Sequence, residues 1–396
     1  MYTQNTPVHI KLWHHQFWYL SLANLLLATA SCMLIPILPV WMLSEGASQN
    51  QTAWTILAFG AGIVTQGFFC SFLVQRFRRH HVCQVTALVM SLCLAGFYWL
   101  MKTKEAPTTL PQLWALFLVL RFIMGAAYGM AQMVLMSTLL IDTSESFQRT
   151  EANHAATWFG RFAISLGPLL ALAAVRFWDP SLVMLASAVC PLAAVVLIEL
   201  VTFPFRAPEE CINVCSLDRF FLPKATTLFI NFLLIAIALG IVLSLPLTAS
   251  FYTFLMGGFL LALLSQKYVF AHAELKSEIL SGLFLMAVAL LLMLSQRQVE
   301  VIYIAPVLIG YGIGITGTRF LLFFIKLSDH CQRGTSQSTY LLAWEIGLAI
   351  GLSLGYGVFT QKDFQFKLST SMSFVLVAFA FYHLFTHSWY LKNKNR

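Results

Sequence analysis

The sequence predicts an all-α membrane protein with twelve transmembrane helices in two six-helix halves. Of its 396 residues, 59% are hydrophobic and 10% are charged, whereas soluble domains carry about 25% charged residues. Apolar runs recur along the whole chain, and many approach the roughly 20 residues that a spanning helix needs. One polar segment divides these runs into six and six. The lipid bilayer is therefore the expected surrounding of most of the surface.

The predicted spans follow one another with short polar breaks. The first run continues beyond the length of a signal-peptide core and has no small-residue cleavage pattern, so we expect it to remain as a helix. The break between the seventh and eighth runs is the shortest, because it contains only Pro246 and a Leu-Thr-Ala-Ser step. The predicted spans cover residues 16–43, 52–75, 82–101, 113–140, 154–177, 181–204, 225–245, 249–268, 278–295, 300–326, 337–359 and 370–390.

The two predicted halves comprise residues 1–202 and 225–396, and a polar linker at 203–224 joins them. An even number of spans places both termini on one side. The flanks and loops on that side carry 15 Lys and Arg residues, against 6 in the opposite loops, and a positive excess marks the cytoplasmic side. We therefore expect cytoplasmic N- and C-termini and a cytoplasmic linker, in the plasma (inner) membrane of a bacterium.

Charge and cysteine content exclude several classes of protein. The net charge of +8 is spread over short clusters between apolar runs, so no continuous basic face for nucleic acid is expected. Cys211 and Cys215 are the closest pair of cysteines, and no second pair or nearby His completes a metal site. We expect no metal and no cofactor.

Short sequence matches relate the two halves. The segment Gly67–Phe77 matches Gly258–Tyr268 at an offset of 191 residues, with Gly-Phe, Leu, Gln, a basic residue and an aromatic residue in register. At an offset of 184, Gln148-Arg149 matches Gln332-Arg333, and Gly167 matches Gly351. Each match lies at the same topological place in its half, which favours an internal repeat.

Three motifs resemble those of the major facilitator superfamily. The segment Ser71–His80 resembles its loop motif G-x-x-x-D-R-x-G-R-R, although Gln75 replaces the Asp. Arg121–Gly125 resembles R-x-x-Q-G, and Gly167-Pro168 resembles the core of the motif associated with antiporters. The resemblance implies the major facilitator fold and a secondary transporter that works by alternating access.

The resemblance and the repeat together assign a cytoplasmic gate. In the family, the loop acid and its basic partners hold this gate through charge pairs and a helix terminus. Gln75 offers only a neutral hydrogen bond in that place, so the gate lacks the usual acid here. The gate residues implied are Gln75, Arg76, Arg79, Gln266, Lys267, Arg149 and Arg333.

Ionisable residues inside spans indicate where a solute binds, since each costs about 2.5–3.5 kcal/mol on insertion scales. Arg121 in span 4 and Arg161 in span 5 are both too deep to reach the interface easily. Their forked guanidiniums suit a carboxylate or phosphate; alternatively, each locks the bundle through a partner acid or helix-end carbonyls. Glu199 and Arg319 lie nearer the predicted cytoplasmic ends, where gate or headgroup contacts are expected.

Further candidates for solute binding are polar or aromatic residues within spans. They either line a cavity or join and pack neighbouring helices. The polar candidates are Asn24, Gln132 and Asn231, and the aromatic ones are Tyr128, Tyr311 and Trp344.

Glu345 is the candidate for proton coupling. It lies well inside span 11 and is the counterpart of Arg161 under the 184-residue offset. Burial disfavours an ionised carboxyl and a nearby guanidinium favours it, so its proton occupancy can follow cavity opening. The alternative is a static ion pair with an Arg.

The sequence therefore predicts a monomeric, proton-coupled transporter of a small anionic or amphipathic solute. The Gly167-Pro168 resemblance favours efflux by an antiporter, and the alternative is an uptake symporter for an organic anion. No nucleotide-binding loop is present, which indicates an ion gradient as the energy source. A polytopic membrane enzyme is a remote alternative, because the sequence has no H-E-x-x-H or G-x-S-x-G motif.

Overall fold

The computed structural model describes residues 11–103, 110–145, 147–204, 213–270, 274–295 and 299–394. These residues form helices and connecting segments, and no strand occurs in the described ranges. Among the described residues, eleven helices are long and apolar enough to cross a membrane, and the pair Gln49–Gly67 and Cys70–Arg76, bent by 53° at its break, counts as a twelfth span. The all-α fold with twelve spans is therefore confirmed.

The spans are numbered in chain order. In the first half, span 1 is His15–Met33 with Leu38–Ser44, span 2 is the bent pair, span 3 is Arg79–Lys102, span 4 is Leu110–Val134 with Leu135–Leu139 and Leu140–Asp142, span 5 is Arg149–Ala174 and span 6 is Pro180–Glu199. In the second half, span 7 is Thr226–Leu243, span 8 is Ala249–Tyr268, span 9 is Leu275–Ser295, span 10 is Val299–Leu327, span 11 is Arg333–Ser353 with Leu354–Val358, and span 12 is Phe364–Phe381 with Tyr382–Thr386 and His387–Asn393.

Local sequence explains where spans begin and what surrounds them. Span 2 begins with a capping box: the Ser48 hydroxyl accepts a hydrogen bond from the Gln51 N–H at 3.2 Å, and the Gln51 side chain accepts one from the Ser48 N–H at 2.8 Å. Large apolar side chains point outwards, including Leu92, Val189 and Leu384, which are 71%, 60% and 75% exposed. An outer surface of this kind requires lipid around it.

Packing follows the same pattern in both halves. Span 1 packs on spans 5 and 6, span 2 on span 4, and span 3 on spans 4 and 6. Span 7 packs on spans 11 and 12, span 8 on span 10, and span 9 on spans 10 and 12. Between the halves, span 11 lies against spans 2 and 4, and span 5 lies against spans 8 and 10.

The glycines that the repeat pairs allow the same close approach in each half. A Cβ on Gly167 of span 5 would lie 2.7 Å from the Cβ of Cys32 in span 1. A Cβ on Gly351 of span 11 would lie 2.8 Å from the Cα of Gly240 in span 7. Any larger residue would force these equivalent helix pairs apart.

The segment between the halves crosses one end of the bundle. We call this end the linker face and the opposite end the far face. Residues 213–222, here named the strap, hydrogen-bond to both halves: the Ser216 N–H donates to the Phe68 carbonyl at 3.0 Å, and the Leu222 N–H donates to the Thr339 hydroxyl at 2.8 Å. The predicted linker also includes residues 205–212, with Cys211, which lie outside the described residues.

Candidate functional site

A central cavity lies where the two halves meet. Its empty volume is about 320 Å³, and spans 1, 4 and 5 of the first half and span 11 of the second supply its walls. The lining residues are Asn24, Gln132, Thr157, Gly160, Arg161, Tyr340, Leu341, Trp344 and Glu345. Five residues that the sequence pointed to, namely Asn24, Gln132, Arg161, Trp344 and Glu345, are thus brought together.

Arg161 is held at the boundary between the halves. Its Nη2 donates a hydrogen bond to the Tyr340 hydroxyl at 2.6 Å, and its guanidinium carbon lies 5.0 Å from the centroid of the Trp158 ring. A Cβ on Gly317 of span 10 would lie 3.2 Å from its Nε, so the absence of a side chain there makes room for the guanidinium. The buried Nη1 has no hydrogen-bond partner within the described ranges. Arg161 therefore retains donor capacity for a ligand.

Glu345 makes a second link between the halves. Its Oε1 accepts a hydrogen bond from the Tyr128 hydroxyl of span 4 at 2.8 Å. Neither Arg121 nor Arg161 forms an ion pair with it in the described part of the chain. The static ion pair with an Arg that the sequence left open is therefore not formed with either residue, and Arg161 Nη2 bonds the Tyr340 hydroxyl of span 11.

Arg121 lies outside the lining of the central cavity. Its guanidinium carbon is 4.3 Å from the Phe59 ring centroid, and its Nη1 donates to the Met124 sulfur at 3.3 Å. The Phe59 and Tyr128 rings are 5.4 Å apart, so aromatic contacts join Arg121 indirectly to Glu345. Of the two arginines expected to bind the solute, the structure places only Arg161 in the cavity wall.

Two predicted cavity residues, Asn231 and Tyr311, do not line the cavity. Asn231 is fully buried, and its Nδ2 donates to the Ala378 carbonyl at 3.2 Å and the Thr386 hydroxyl at 3.3 Å, which joins span 7 to span 12. Tyr311 is not among the residues that line the cavity, and its backbone nitrogen lies close to Gly258 of span 8. Hydrophobic periodicity could not distinguish these positions from those that line the cavity.

A second cavity lies between the central cavity and the linker face. The Gln337 Nε2 donates to the Thr157 hydroxyl at 3.2 Å, and this cross-half bond lies between the two cavities. We call the second one the linker-face cavity; its empty volume is about 830 Å³. Its charged lining residues are Arg79, Asp142, Arg149, Asp218, Arg219 and Arg333.

Three of the predicted gate residues, Arg79, Arg149 and Arg333, line the linker-face cavity. Arg79 forms an ion pair with Asp142 at 2.7 Å, which joins spans 3 and 4 within one half. The remaining gate candidates do not line this cavity. Arg76 is exposed and Gln75 is partly exposed. Gln266 bonds Thr318 of span 10, and the Lys267 ammonium lies 5.2 Å from the centroid of the Tyr268 ring.

The strap supplies an acid near the degenerate loop motif. The Ser71 hydroxyl, at the first motif position, donates to Asp218 Oδ2 at 3.3 Å. The Thr335 hydroxyl donates to Asp218 Oδ1 at 3.3 Å and accepts from the Arg219 N–H at 3.0 Å. Thr335 lies in the first turn of span 11, so Asp218 links span 2 to the start of span 11. Sequence reasoning missed this residue because it lies about 140 residues from the motif.

A buried ion pair that the sequence did not reveal joins spans 9 and 10. Arg319 Nε lies 2.5 Å from Glu278 Oε2, and the Glu278 side chain is 1% exposed. Arg319 was expected to make gate or headgroup contacts, and the pair corrects this expectation. Glu278 escaped notice because the predicted span began at this residue, whereas the helix begins at Leu275. Glu199 accepts a hydrogen bond from Gln84 at 2.6 Å, which joins spans 6 and 3.

Twelve spans in two six-helix halves around a central cavity define a membrane transporter rather than an enzyme. The chain matches the sequence model of the Major Facilitator Superfamily over residues 20–352, and it belongs to that family. It is therefore an integral membrane protein with the fold of a secondary transporter, as the motifs implied. No curated protein sequence matches it significantly.

Solved structures with the same fold cover almost the whole chain. The nucleoside transporter NupG, in a mutant form, is 14% identical with a TM-score of 0.67, over 93% of this chain and 100% of that one. The human organic anion transporter MFSD10 is 15% identical with a TM-score of 0.65, over 93% and 98%. A D-xylose-proton symporter is 12% identical with a TM-score of 0.67, over 93% and 97%. At these identities the likeness shows the fold alone.

Proposed function

We propose that the chain is a proton-coupled transporter of a small solute with an anionic group, anionic or amphipathic overall. The observation that carries the proposal is the Tyr128–Glu345 hydrogen bond, which crosses the halves beside a cavity that Arg161 lines. A carboxyl whose hydrogen-bond partner belongs to the other half changes its surroundings when the halves move apart. Proton binding and alternating access are then linked.

Arg161 favours an anion as the solute. A forked guanidinium with a buried unpartnered nitrogen gains a charge-assisted hydrogen bond when a carboxylate or phosphate binds. Asn24, Gln132 and Trp344 complete the proposed site with amide groups and a ring for an apolar portion. Arg121 acts on this site through Phe59 and Tyr128 and not by direct contact.

Export is the proposed direction, because Gly167-Pro168 resembles the core of the antiporter motif. Uptake of an organic anion by symport is the second candidate. The Arg161 guanidinium suits an anionic solute equally well in either direction of transport. The structural neighbours include an organic anion transporter and a proton symporter, so the fold is compatible with an anionic solute and with proton coupling but does not favour either direction.

The test is solute flux in proteoliposomes that contain the purified chain. Panels of carboxylates, phosphonates and organic cations are offered under imposed pH gradients of either sign, with and without a protonophore. We expect accumulation of an anionic or amphipathic compound, abolished by the protonophore. Accumulation into an acidic lumen indicates antiport, and accumulation from an acidic exterior indicates symport. Flux that is independent of the pH gradient, or flux of cations alone, would contradict the proposal.

We also propose that the linker face is cytoplasmic in a bacterial plasma membrane, with the chain acting as a monomer, from the distribution of Lys and Arg. Cys215 lies exposed in the strap region and offers a native probe. With the other cysteines removed, Cys215 should react with an impermeant maleimide only after the cells are permeabilised. A chain with a single Cys in place of Thr360, at the far face, serves as the control and should react in intact cells. Labelling of Cys215 in intact cells would overturn this topology.

A further inference from the structure

The strap joins the two halves through a single carboxylate. The Ser71 hydroxyl of span 2 donates to Asp218 Oδ2 at 3.3 Å, and the Thr335 hydroxyl of span 11 donates to Asp218 Oδ1 at 3.3 Å. The two oxygens of one side chain thus bond one helix from each half. Separation of the halves at the linker face therefore has to break at least one of these two hydrogen bonds.

The bend of span 2 forms a socket for Phe220 of the strap. Phe220 is 3% exposed, and its ring centroid lies 5.0 Å from that of Phe68 at the break in the helix. A Cβ on Gly67 would overlap the Phe220 ring, so this ring fills the space that a side chain at Gly67 would need. The Phe68 carbonyl also accepts the hydrogen bond from the Ser216 N–H. The contacts of the strap with the first half are therefore concentrated at this bend.

The contacts of the strap with the second half use its backbone. The N–H groups of Arg219 and Leu222 donate to the hydroxyls of Thr335 and Thr339 at 3.0 and 2.8 Å. These two threonines are four residues apart, so they lie on one face of span 11. Only the short turn Pro223–Ala225 separates the strap from span 7, whereas residues 200–212 separate it from span 6. The strap is thus tied more closely to the second half.

The backbone of Arg219 is unusual. Its φ of 60° lies in the left-handed region, which a residue with a side chain adopts at a cost in free energy. Such a conformation persists where the surrounding contacts hold it. Here the Thr335 hydroxyl accepts from the Arg219 N–H, and the neighbouring residues Asp218 and Phe220 contact span 2. The strap therefore has a defined shape that depends on contacts with both halves.

We propose that the strap is a releasable latch, which stays with the second half and holds the linker face closed when Phe220 enters the bend of span 2. When the halves separate at this face, Ser216, Asp218 and Phe220 leave span 2, and the bonds to span 11 remain. The contacts with span 2 exist only in the closed arrangement, so they stabilise it relative to the open one. The strength of the latch then sets the fraction of molecules that are open at the linker face.

The experiment follows opening of the linker face by labelling one cysteine. The full chain, with its native cysteines replaced, carries Ser137→Cys and is studied in detergent. Ser137 of span 4 is 6% exposed, and its carbonyl oxygen would lie 2.8 Å from a Cβ on Gly334 of span 11, so the other half covers it. Its reaction rate with a maleimide should follow the open fraction. We expect Phe220→Ala to raise this rate at least tenfold, because the open form no longer loses the ring contacts.

Phe221→Ala is the matched control. It makes the same change at the next residue of the strap, whose ring centroid lies 5.4 Å from that of Phe229 in span 7. This contact belongs to the second half alone, so the labelling rate should stay at the value for the unchanged strap. A rise in Phe221→Ala without one in Phe220→Ala would show that the strap stays with the first half. Equal rises, or no rise in either variant, would show that Phe220 does not act as a latch, and each of these outcomes overturns the proposal.

Gly67→Ala tests the socket without any change in the strap. Its methyl group would lie where the Phe220 ring packs, so the ring has to leave. Alanine also favours a helix more than glycine does, and span 2 itself should be preserved. We expect Gly67→Ala to raise the labelling rate as Phe220→Ala does, and it replaces that variant if Phe220→Ala does not give monodisperse protein. An unchanged rate in folded Gly67→Ala would overturn the proposal.

Discussion

Glu345→Gln is expected to abolish accumulation driven by a pH gradient while exchange of solute across proteoliposomes continues. A glutamine keeps the size of the side chain and still accepts a hydrogen bond from Tyr128, which lies 2.8 Å from Glu345 Oε1. It cannot bind or release a proton. The bundle should therefore fold and move as before, but without coupling to protons.

The effect is large because a donor from the opposite half, the Tyr128 hydroxyl, bonds this carboxyl. The Tyr128 hydroxyl stabilises the ionised form while spans 4 and 11 are together, and their separation removes that donor. Protonation and separation of the halves then favour each other by the same free energy. Loss of the ionisable group removes the whole of this linkage, whereas Tyr128→Phe should weaken it and leave a pH response.

Glu199→Gln is the matched control for this prediction. It makes the same chemical change at an exposed acid that bonds Gln84 within the first half. Its pH dependence should equal that of the wild type. If Glu345→Gln also accumulates solute with the wild-type pH dependence, coupling resides elsewhere and Glu345 has a structural role.

The fold could be predicted because lipid imposes a simple rule on sequence. A spanning helix must be apolar for about 20 residues, so the twelve runs and their order follow directly from the chain. The bend at Phe68 and Phe69 in span 2 could not be predicted, since no Pro marks it. Close packing was also foreseeable at the repeat pair Gly167 and Gly351, because small residues let helices approach.

The site could be predicted in part. Arg161 and Glu345 stand out since ionisable groups within spans need a polar neighbour, and both reach the central cavity. Asn231 does not reach the central cavity. The sequence could not show this, because an amide that joins two helices looks the same in sequence as one that lines a cavity. Asp218 and its partner Thr335 belong to segments distant along the chain, and only the fold brings them together.

Arg161→Ala is expected to abolish transport of an anionic solute, and Arg161→Lys should lower kcat/KM by about 10- to 100-fold. Lysine keeps the charge but loses the planar fork that donates to Tyr340 at 2.6 Å while a second nitrogen faces no partner. Loss of one charged hydrogen bond costs about 1.5–3 kcal/mol, and each 1.4 kcal/mol is about tenfold. Initial rates against solute concentration in proteoliposomes measure both variants.

Arg121→Lys is the comparison that distinguishes an effect at the cavity from an effect elsewhere in the bundle. Arg121 is also buried, at 6% exposure, but it contacts Phe59 and Met124 instead of the cavity. We expect its KM to change less than that of Arg161→Lys. An Arg161→Ala variant that transports with the wild-type KM would show that Arg161 only joins spans 5 and 11. Equal losses in the two lysine variants would show that any change to a buried arginine disturbs the bundle, and that the position of the fork in the cavity does not govern binding.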